Sequence, residues 1–194
     1  MGARDILASM TTPLRVSIDD FLAMDETKPY LELIDGEVVE KAMPTEFHAR
    51  IVAELVYRLL AYMQRAKEGR VLTEARHVSV DEQRIYLPDV SVTLTSRTAP
   101  MRRSGATSTR PDFAIEVLSP DDRAARVLDR VQFYLRTGVQ LVWLVDPELR
   151  VVFVYRPGVE GAEHRAPQVI DAQPVLKEFA LDLAELFATL DEDA

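Results

Sequence analysis

Apolar and polar residues along the chain follow two different periods, and these predict alternating helices and strands. One apolar stripe recurs every three to four positions and predicts a long helix over about residues 45–67. The stripe consists of Ile51, Val52, Leu55, Val56, Leu59, Leu60 and Met63. Gly69 is the predicted C-cap of this helix, because glycine adopts the left-handed backbone that commonly ends a helix. The amino-terminal half therefore contains at least one long amphipathic helix.

Two shorter elements precede that helix. The segment "SIDDFLAM" predicts a short helix in which Ser17 is the N-cap and Asp20, three positions later, completes a capping box. The segment "YLELIDGEVVEKA" predicts a β-hairpin, because Asp35-Gly36 is a preferred pair for a type I′ turn and both flanks are β-like.

The middle of the chain predicts strands and one long loop. The strands are "VLTEARHVSV", "RIYLPDVSVTL" and the short, buried "FAIEVL". Pro88 has no backbone N–H to donate, which places it at a strand edge, a strand start or a bulge. Residues 95–110 lack apolar periodicity and predict a long loop between the second and third strands.

A second amphipathic helix is predicted to begin at Ser119, with Pro120 in its first position and Asp121 and Asp122 in its first turn. It should end at Gly138. The residues predicted for its buried side are Val127, Leu128, Val131, Tyr134 and Leu135.

The nearly all-apolar "VQLVWLVD" then predicts a central strand, and "VVFVY" predicts its antiparallel neighbour. Weaker strands around residues 163–170 and 174–180 and a final helix, "DLAELFATL", complete an α/β (α+β) fold. With no repeat or linker, we expect a single domain over residues 14–190, an N-terminal tail (1–13) and an acidic C-terminal tail (191–194).

Composition narrows the class of protein. The chain has 194 residues and no cysteine, which excludes thiolate zinc sites and a thiol nucleophile and is consistent with a cytoplasmic location. No apolar run reaches the roughly 18 residues of a membrane helix. The net charge is −9, yet residues 97–136 carry eight arginines against five acids. Such a basic segment is compatible with a phosphate-binding face, although solubility alone would also explain it.

Glu116 is an unexpected residue, because it lies inside the apolar segment "FAIEVL" and burial of a lone carboxylate is costly. Taken singly, Glu116 fits an exposed strand position and Asp89, after a proline, fits a turn. Taken together, two carboxylates on adjacent strands, followed by a basic helix, predict a site for a hard divalent cation such as Mg²⁺. Asp112, in a second "PD" pair, is interpreted as a turn residue.

The strings "LPDVSV" and "RPDFAIEVLSPDDRAARVLDRVQFYLRTGVQLVWLVDP" resemble the Uma-two family of restriction-endonuclease-like proteins in the PD-(D/E)XK phosphodiesterase superfamily. The likeness extends from about residue 14 to residue 190. It implies a mixed central β-sheet flanked by helices, an endonuclease that hydrolyses DNA, and Mg²⁺ or Mn²⁺ as cofactor. Asp89 and Glu116 would be the metal-binding acids, with the Val117 carbonyl as a third ligand.

The lysine of the superfamily pattern is missing, since Leu118 stands two residues after Glu116. The family carries a lysine four residues before a tyrosine on the next helix, and here that position is Arg130. Arginine keeps the positive charge but does not readily release a proton. The family also has a histidine where His48 stands, which implies a proton relay or water-orienting role; a helix cap or surface contact is the alternative.

Several alternatives stay open at this point. Glu32 and Glu37 either add charge near a metal or are exposed hairpin acids. Arg123, Arg126 and Arg130 share one helix face, which either touches DNA phosphates or pairs with Asp122 and Asp129. The chain itself is either an active nuclease, plausibly a homodimer, or a catalytically impaired nuclease fold that binds nucleic acid or a protein partner. A third possibility is a stable dimer in which these acids pair with arginines at the interface.

Overall fold

The computed structural model describes residues 15–191, apart from residues 26, 80, 82, 102, 104 and 108. The elements follow in the order α1 (Ile18–Leu22), β1 (Leu31–Ile34), β2 (Glu37–Glu40), α2 (Glu46–Ala66), β3 (Gly69–Thr73), β4 (His77–Ser79), β5 (Arg84–Tyr86), β6 (Val90–Leu94), β7 (Phe113–Val117), α3 (Ala124–Arg136), β8 (Leu141–Asp146), β9 (Val151–Arg156), β10 (Val159–Arg165), β11 (Val169–Ala172), β12 (Leu176–Asp182) and α4 (Leu183–Ala188). The predicted N-terminal tail, residues 1–13, and residues 192–194 lie outside the described residues. The domain boundaries therefore stay predictions.

Three sheets organise these strands. The large sheet has six strands in the order β10-β9-β8-β7-β6-β3, and only β7 and β8 run parallel. A small sheet has four strands in the order β2-β1-β5-β4, and β11 pairs with β12. The parallel pair is connected through α3, as a crossover between parallel strands requires. The predicted fold class, a mixed α+β domain with a central sheet flanked by helices, is confirmed.

The large sheet is covered on both faces. Apolar residues of α2, α4 and the β11–β12 pair pack on one face, against Phe113, Ile115 and Val117 of β7. Residues of α3, among them Val131 and Tyr134, pack on the other. Since neighbouring residues of a strand point to opposite faces, β7 presents Ile115 to the α2 side and Glu116 to the α3 side.

Two predicted strands each divide between the two sheets. The predicted "VLTEARHVSV" separates into β3 and β4 around Glu74, which has a positive φ of 49°. The predicted "RIYLPDVSVTL" separates into β5 and β6 around Leu87-Pro88-Asp89. The two breaks lie side by side, because the Glu74 amide donates a hydrogen bond to the Pro88 carbonyl at 3.2 Å. This junction joins the sheets and brings Asp89 to the boundary between them.

Several predicted local features are confirmed. Ser17 caps α1 by accepting a hydrogen bond from the Asp20 amide, and Asp35 and Gly36 take the positive φ angles of the hairpin turn. The long helix extends over Glu46–Ala66 with Thr45 as N-cap. Ile51, Leu55, Leu59 and Met63 are buried, but Leu60, predicted to widen their stripe, is 44% exposed.

The predicted C-cap of α2 was wrong. Lys67 takes the left-handed backbone with φ 56° and its amide donates to the Met63 carbonyl, so the helix ends before Gly69. Gly69 instead opens β3 in a close approach to β6, where an added Cβ would lie 2.7 Å from the Thr93 carbonyl oxygen. Glycine is therefore required there for strand packing.

The predicted start of α3 was also wrong. Ser119 and Asp122 form a separate turn, in which the Asp122 carboxylate accepts from the Ser119 amide at 2.8 Å and the Asp122 amide donates to the Ser119 carbonyl. The helix itself begins at Ala124, after Arg123 as N-cap. Leu128, predicted to be buried, is 52% exposed, whereas Phe133 is buried.

The buried face of α3 can be tested with two matched substitutions. Val131 is fully buried and Leu128 is half exposed on the same helix. We expect Val131→Ala to lower the free energy of unfolding by about 2 kcal/mol, because it leaves a cavity in the core. Leu128→Ala should change it by less than about 0.5 kcal/mol. Urea denaturation followed by circular dichroism measures both, and equal losses would contradict this orientation of the helix.

Candidate active site at the junction of the sheets

Asp89 and Glu116 come together where the two sheets join. Asp89 directly precedes β6, and Glu116 lies in β7. Val90 pairs with Ile115 in the antiparallel register, so Asp89 and Glu116 are the next positions along the two strands. Both side chains are almost fully buried, with 1% and 2% exposed. Each carboxylate therefore needs partners that replace water.

Glu116 finds its partners on α3. Its Oε2 accepts a hydrogen bond from Nη1 of Arg130 at 2.9 Å, and its Oε1 accepts from the Tyr134 hydroxyl. Burial raises the pKa of Glu116 to about 7, although the Arg130 charge acts in the opposite direction. A carboxylate interrupts "FAIEVL" because it forms a buried ion pair with the adjacent helix.

Asp89 is held by groups from three other elements. Its Oδ2 accepts from the Val117 amide at 2.7 Å and lies 3.2 Å from Nε2 of His48 on α2. Its Oδ1 accepts from Nζ of Lys41 at 2.7 Å. Burial alone would raise the pKa of Asp89, but the charge of Lys41 and the hydrogen bond from His48 hold it well below its usual value.

Lys41 is a residue of this site that sequence reasoning missed. It directly follows β2, and its side chain has only 10% of its surface exposed. Besides Asp89, its ammonium donates to the Leu87 carbonyl at 2.7 Å and to Oε2 of Glu74 at 2.9 Å. Burial alone would lower the pKa of Lys41, but Asp89 and the neighbouring carboxylates raise it well above its usual value.

Of the two hairpin acids, Glu32 belongs to the site and Glu37 is exposed. Oε1 of Glu32 accepts from the Leu87 amide at 3.0 Å, and Oε2 of Glu32 lies 3.3 Å from Nη2 of Arg130. The hairpin pattern could not distinguish the two residues, because burial of Glu32 results from the pairing of β1 with β5.

Four carboxylates, the acid cluster of Glu32, Glu74, Asp89 and Glu116, thus face two permanent cations, Lys41 and Arg130. When all four carboxylates are ionised, two negative charges are left over, which a divalent cation would balance, and carboxylate oxygens are the ligands that hard cations prefer. In donor chemistry and charge, these residues fit a divalent ion.

The acid cluster does not, however, form a preassembled metal site. No group of three or more His, Asp or Glu side chains among the described residues has metal-ligand geometry. Both carboxylate oxygens of Asp89 and of Glu116 already accept hydrogen bonds. An incoming ion would have to share or replace those partners.

Two cavities flank the acid cluster. One, of about 320 Å³, is lined by Glu74 and Leu87 together with Arg70, Arg76 and the loop after β6. The other, of about 250 Å³, is lined by Glu32 and Arg130 together with residues of β2, β5 and α3. Asp89 and Glu116 line neither cavity, whereas Glu74 lines the first and Glu32 and Arg130 line the second, so these three residues separate the two buried acids from the cavities.

Other candidate residues lie elsewhere or have structural partners. Asp112, interpreted as a turn residue, is buried and accepts from the Leu94 amide at 2.8 Å, which fixes the start of the long loop. His77 is buried, with its ring nitrogens against Ser91 and the Thr109 carbonyl. Asp129 pairs with Arg84 rather than with the arginine next to it.

The arginines along α3 therefore do not all have the same environment. Arg130 points into the acid cluster and Arg126 lines the second cavity, while Asp122 caps the turn that precedes the helix. The alternative in which Arg130 pairs with Asp122 or Asp129 does not hold, because its guanidinium bonds to Glu116 and Glu32. None of the described helices is both long enough and apolar enough to cross a membrane.

Comparisons with known proteins agree with this fold. The model of the Uma2 family, described as "Putative restriction endonuclease", matches residues 18–184, and the chain therefore belongs to the Uma2 family. A crystal structure of a protein from Anabaena variabilis, described as a "putative nuclease belonging to DUF820", is 30% identical with a TM-score of 0.81. That alignment covers 90% of this chain and 99% of the other.

A second solved structure, a cryo-electron microscopy structure of a DrdV–DNA complex, shows only a weak likeness. Its TM-score is 0.30 at 16% identity, over 61% of this chain and 12% of that one. The comparison with curated proteins gave no match.

The ion pair between α3 and β7 can be tested by a double-mutant cycle. Arg130→Met should lower the free energy of unfolding by about 3–5 kcal/mol, because Glu116 and Glu32 lose a buried cationic partner. Adding Glu116→Gln should restore part of that loss, since one of the unpaired charges is removed. Urea denaturation at neutral pH measures the cycle.

Arg156→Met is the matched control, because Arg156 forms an exposed pair with Asp171 at 3.0 Å. It should cost about 1 kcal/mol or less. Strictly additive losses in the Arg130 and Glu116 variants would show that the two side chains do not interact.

Proposed function

We propose that this protein is a metal-dependent endonuclease that hydrolyses phosphodiester bonds of DNA. The observation that carries the proposal is that Asp89, just before β6, lies opposite Glu116 of β7, inside a cluster of four carboxylates and two cations. Membership in a family described as "Putative restriction endonuclease", and similarity to an Anabaena variabilis protein described as a "putative nuclease", support the same class of reaction.

In this proposal Asp89 and Glu116 hold Mg²⁺ or Mn²⁺, and the carbonyl of Val117 is a third ligand. The Val117 amide already binds Asp89 at 2.7 Å, so the backbone at this residue is fixed against the site. When bound, such an ion polarises a phosphoryl oxygen and lowers the pKa of a coordinated water.

Arg130 has an electrostatic role in the proposal. Its guanidinium bonds to Glu116 and Glu32 and lines the second cavity, where it can meet charge that develops on a phosphate. A guanidinium remains protonated, so Arg130 does not serve as a deprotonated amine. Leu118, in the position of the superfamily lysine, lines a different cavity that none of the acid cluster reaches.

His48 is placed to orient water next to Asp89. Its Nε2 lies 3.2 Å from the carboxylate, while its buried Nδ1 has no hydrogen-bond partner among the described residues. In the proposed reaction a water oxygen bonds to phosphorus and the P–O3′ bond breaks, which leaves a 5′-phosphate and a 3′-hydroxyl. The displaced 3′ oxygen takes up one proton.

DNA binding, the oligomeric state and the cellular location are also proposals. The basic segment, residues 97–136, is available to bind DNA phosphates through its arginines. A homodimer, which would allow two cuts, and a cytoplasmic location stay predictions from the sequence.

A specific observation favours a second candidate, a nuclease fold that binds nucleic acid or a protein partner without cleavage. Every carboxylate oxygen of Asp89 and Glu116 is engaged by a protein donor, and both acids are buried. This arrangement stabilises the fold in the absence of any ion.

Titration with Mn²⁺ by calorimetry tests the proposed site without knowledge of the substrate. Wild type should bind saturably, and Asp89→Asn and Glu116→Gln should each weaken binding at least about tenfold, because each removes a ligand charge. Glu160→Gln is the matched control, since Glu160 is an exposed acid of β10 and lines neither cavity beside the acid cluster. It should leave Mn²⁺ binding unchanged.

Cleavage of supercoiled plasmid DNA separates the two candidate functions. The proposed endonuclease nicks or linearises the plasmid with Mn²⁺ or Mg²⁺, and Asp89→Asn abolishes this activity. Retained DNA binding without metal-dependent cleavage by wild type would favour the binding protein. Cleavage that Asp89→Asn leaves unchanged would overturn the proposed site.

A further inference from the structure

We infer that Lys41 is a built-in competitor for the divalent cation at Asp89, so that its ammonium sets how tightly the site binds an ion. This inference rests on the proposed metal site and names a residue that controls it. Lys41 is suited to this role by the oxygen atoms that it contacts, by the backbone that fixes its position, and by its difference from Arg130.

The oxygen atoms around Lys41 are those that a hard divalent cation would select. The ammonium contacts a carboxylate oxygen of Asp89 at 2.7 Å, the carbonyl oxygen of Leu87 at 2.7 Å and a carboxylate oxygen of Glu74 at 2.9 Å. Two carboxylates and one backbone carbonyl are the kinds of ligand found in Mg²⁺ and Ca²⁺ sites. The ammonium, a compact point charge, therefore occupies a cation position of the acid cluster.

All three N–H donors of the ammonium are used in these contacts. Lys41 consequently has no free donor to offer to a phosphate or to a water molecule while it remains there. Its contribution to a reaction begins only when one of the three oxygens is released. The exposed fractions of the side chains indicate Glu74 as the outer partner, at 31% against 2% for Asp89.

The backbone fixes Lys41 in this place. Its amide donates to the Tyr30 carbonyl at 2.8 Å, which continues the pairing of β1 with β2 beyond the last ladder pair. The side chain then extends from the small sheet to Asp89 at the edge of the large sheet. Lys41 thus belongs to the β1–β2 hairpin, whereas Glu116 belongs to β7 of the large sheet.

Arg130 differs from Lys41 in geometry. Its planar guanidinium spans two acids, Glu116 at 2.9 Å and Glu32 at 3.3 Å, which is the bidentate contact that arginine favours. The three oxygens around Lys41 include none from Glu116 or Glu32, so an ion that takes them can leave Arg130 in place, but it has to displace the Lys41 ammonium. Removal of the Lys41 charge should open the site, whereas removal of a distant lysine should not.

Calorimetric titration with Mn²⁺ alone tests the inference. Lys41→Met, which has a similar length but no charge, should bind Mn²⁺ at least about tenfold more tightly than wild type, and Lys41→Arg should not. Lys41→Gln is the alternative if Lys41→Met fails to fold, because an amide keeps hydrogen-bond donors at this position. Lys177→Met, at an exposed position of β12, is the matched control and should bind as wild type does.

The double variant Lys41→Met/Asp89→Asn locates the gain. Loss of the added affinity in this variant would place the ion at Asp89, and unchanged affinity would overturn the inference. Equal Mn²⁺ binding by wild type and Lys41→Met would also overturn it while the proposed metal site stands. No binding by either protein would overturn both, because removal of the competitor would have opened no site.

Discussion

The packing of four carboxylates, three of them buried, against the two cations Lys41 and Arg130 is the constraint on which the arrangement of this protein depends. Each acid of the cluster loses water on folding, and the cost of that transfer can be offset only by partners in fixed positions. Those partners come from the hairpin, from α2 and from α3, which converge on the junction of the sheets. The site therefore links these elements by ion pairs in addition to their apolar packing, and its negative charge is what makes a divalent cation a chemically sensible ligand.

The sequence predicted the elements whose signals are local. The capping box at Ser17, the Asp35-Gly36 turn and the stripe of α2 all depend on neighbours within one or two turns, and they are present as expected. The start of α3 was misplaced because the same signals, a serine followed by a proline and acids, also build the turn of Ser119 and Asp122. Local chemistry alone could not decide between these two structures.

The residues of the site were also predicted only in part. Asp89 and Glu116 were predicted from the sequence motifs that contain them, and the structure brings them together with His48 and Arg130. Lys41 and Glu74 were missed, because nothing in "VVEKAMP" or "LTEARH" marks these residues as neighbours. Their meeting depends on β3–β4 and β5–β6 crossing between two sheets, a tertiary feature that periodicity does not encode.

The junction also has a mechanical consequence. The hairpin with Glu32 and Lys41 belongs to the small sheet, whereas Asp89 and Glu116 lie at or within strands of the large one. A rotation of the small sheet about the breaks at Glu74 and Pro88 would carry Glu32 and Lys41 away from Asp89 and Glu116. The stiffness between the sheets and the electrostatic field at the acids are therefore coupled. A ligand that changes one of them also changes the other.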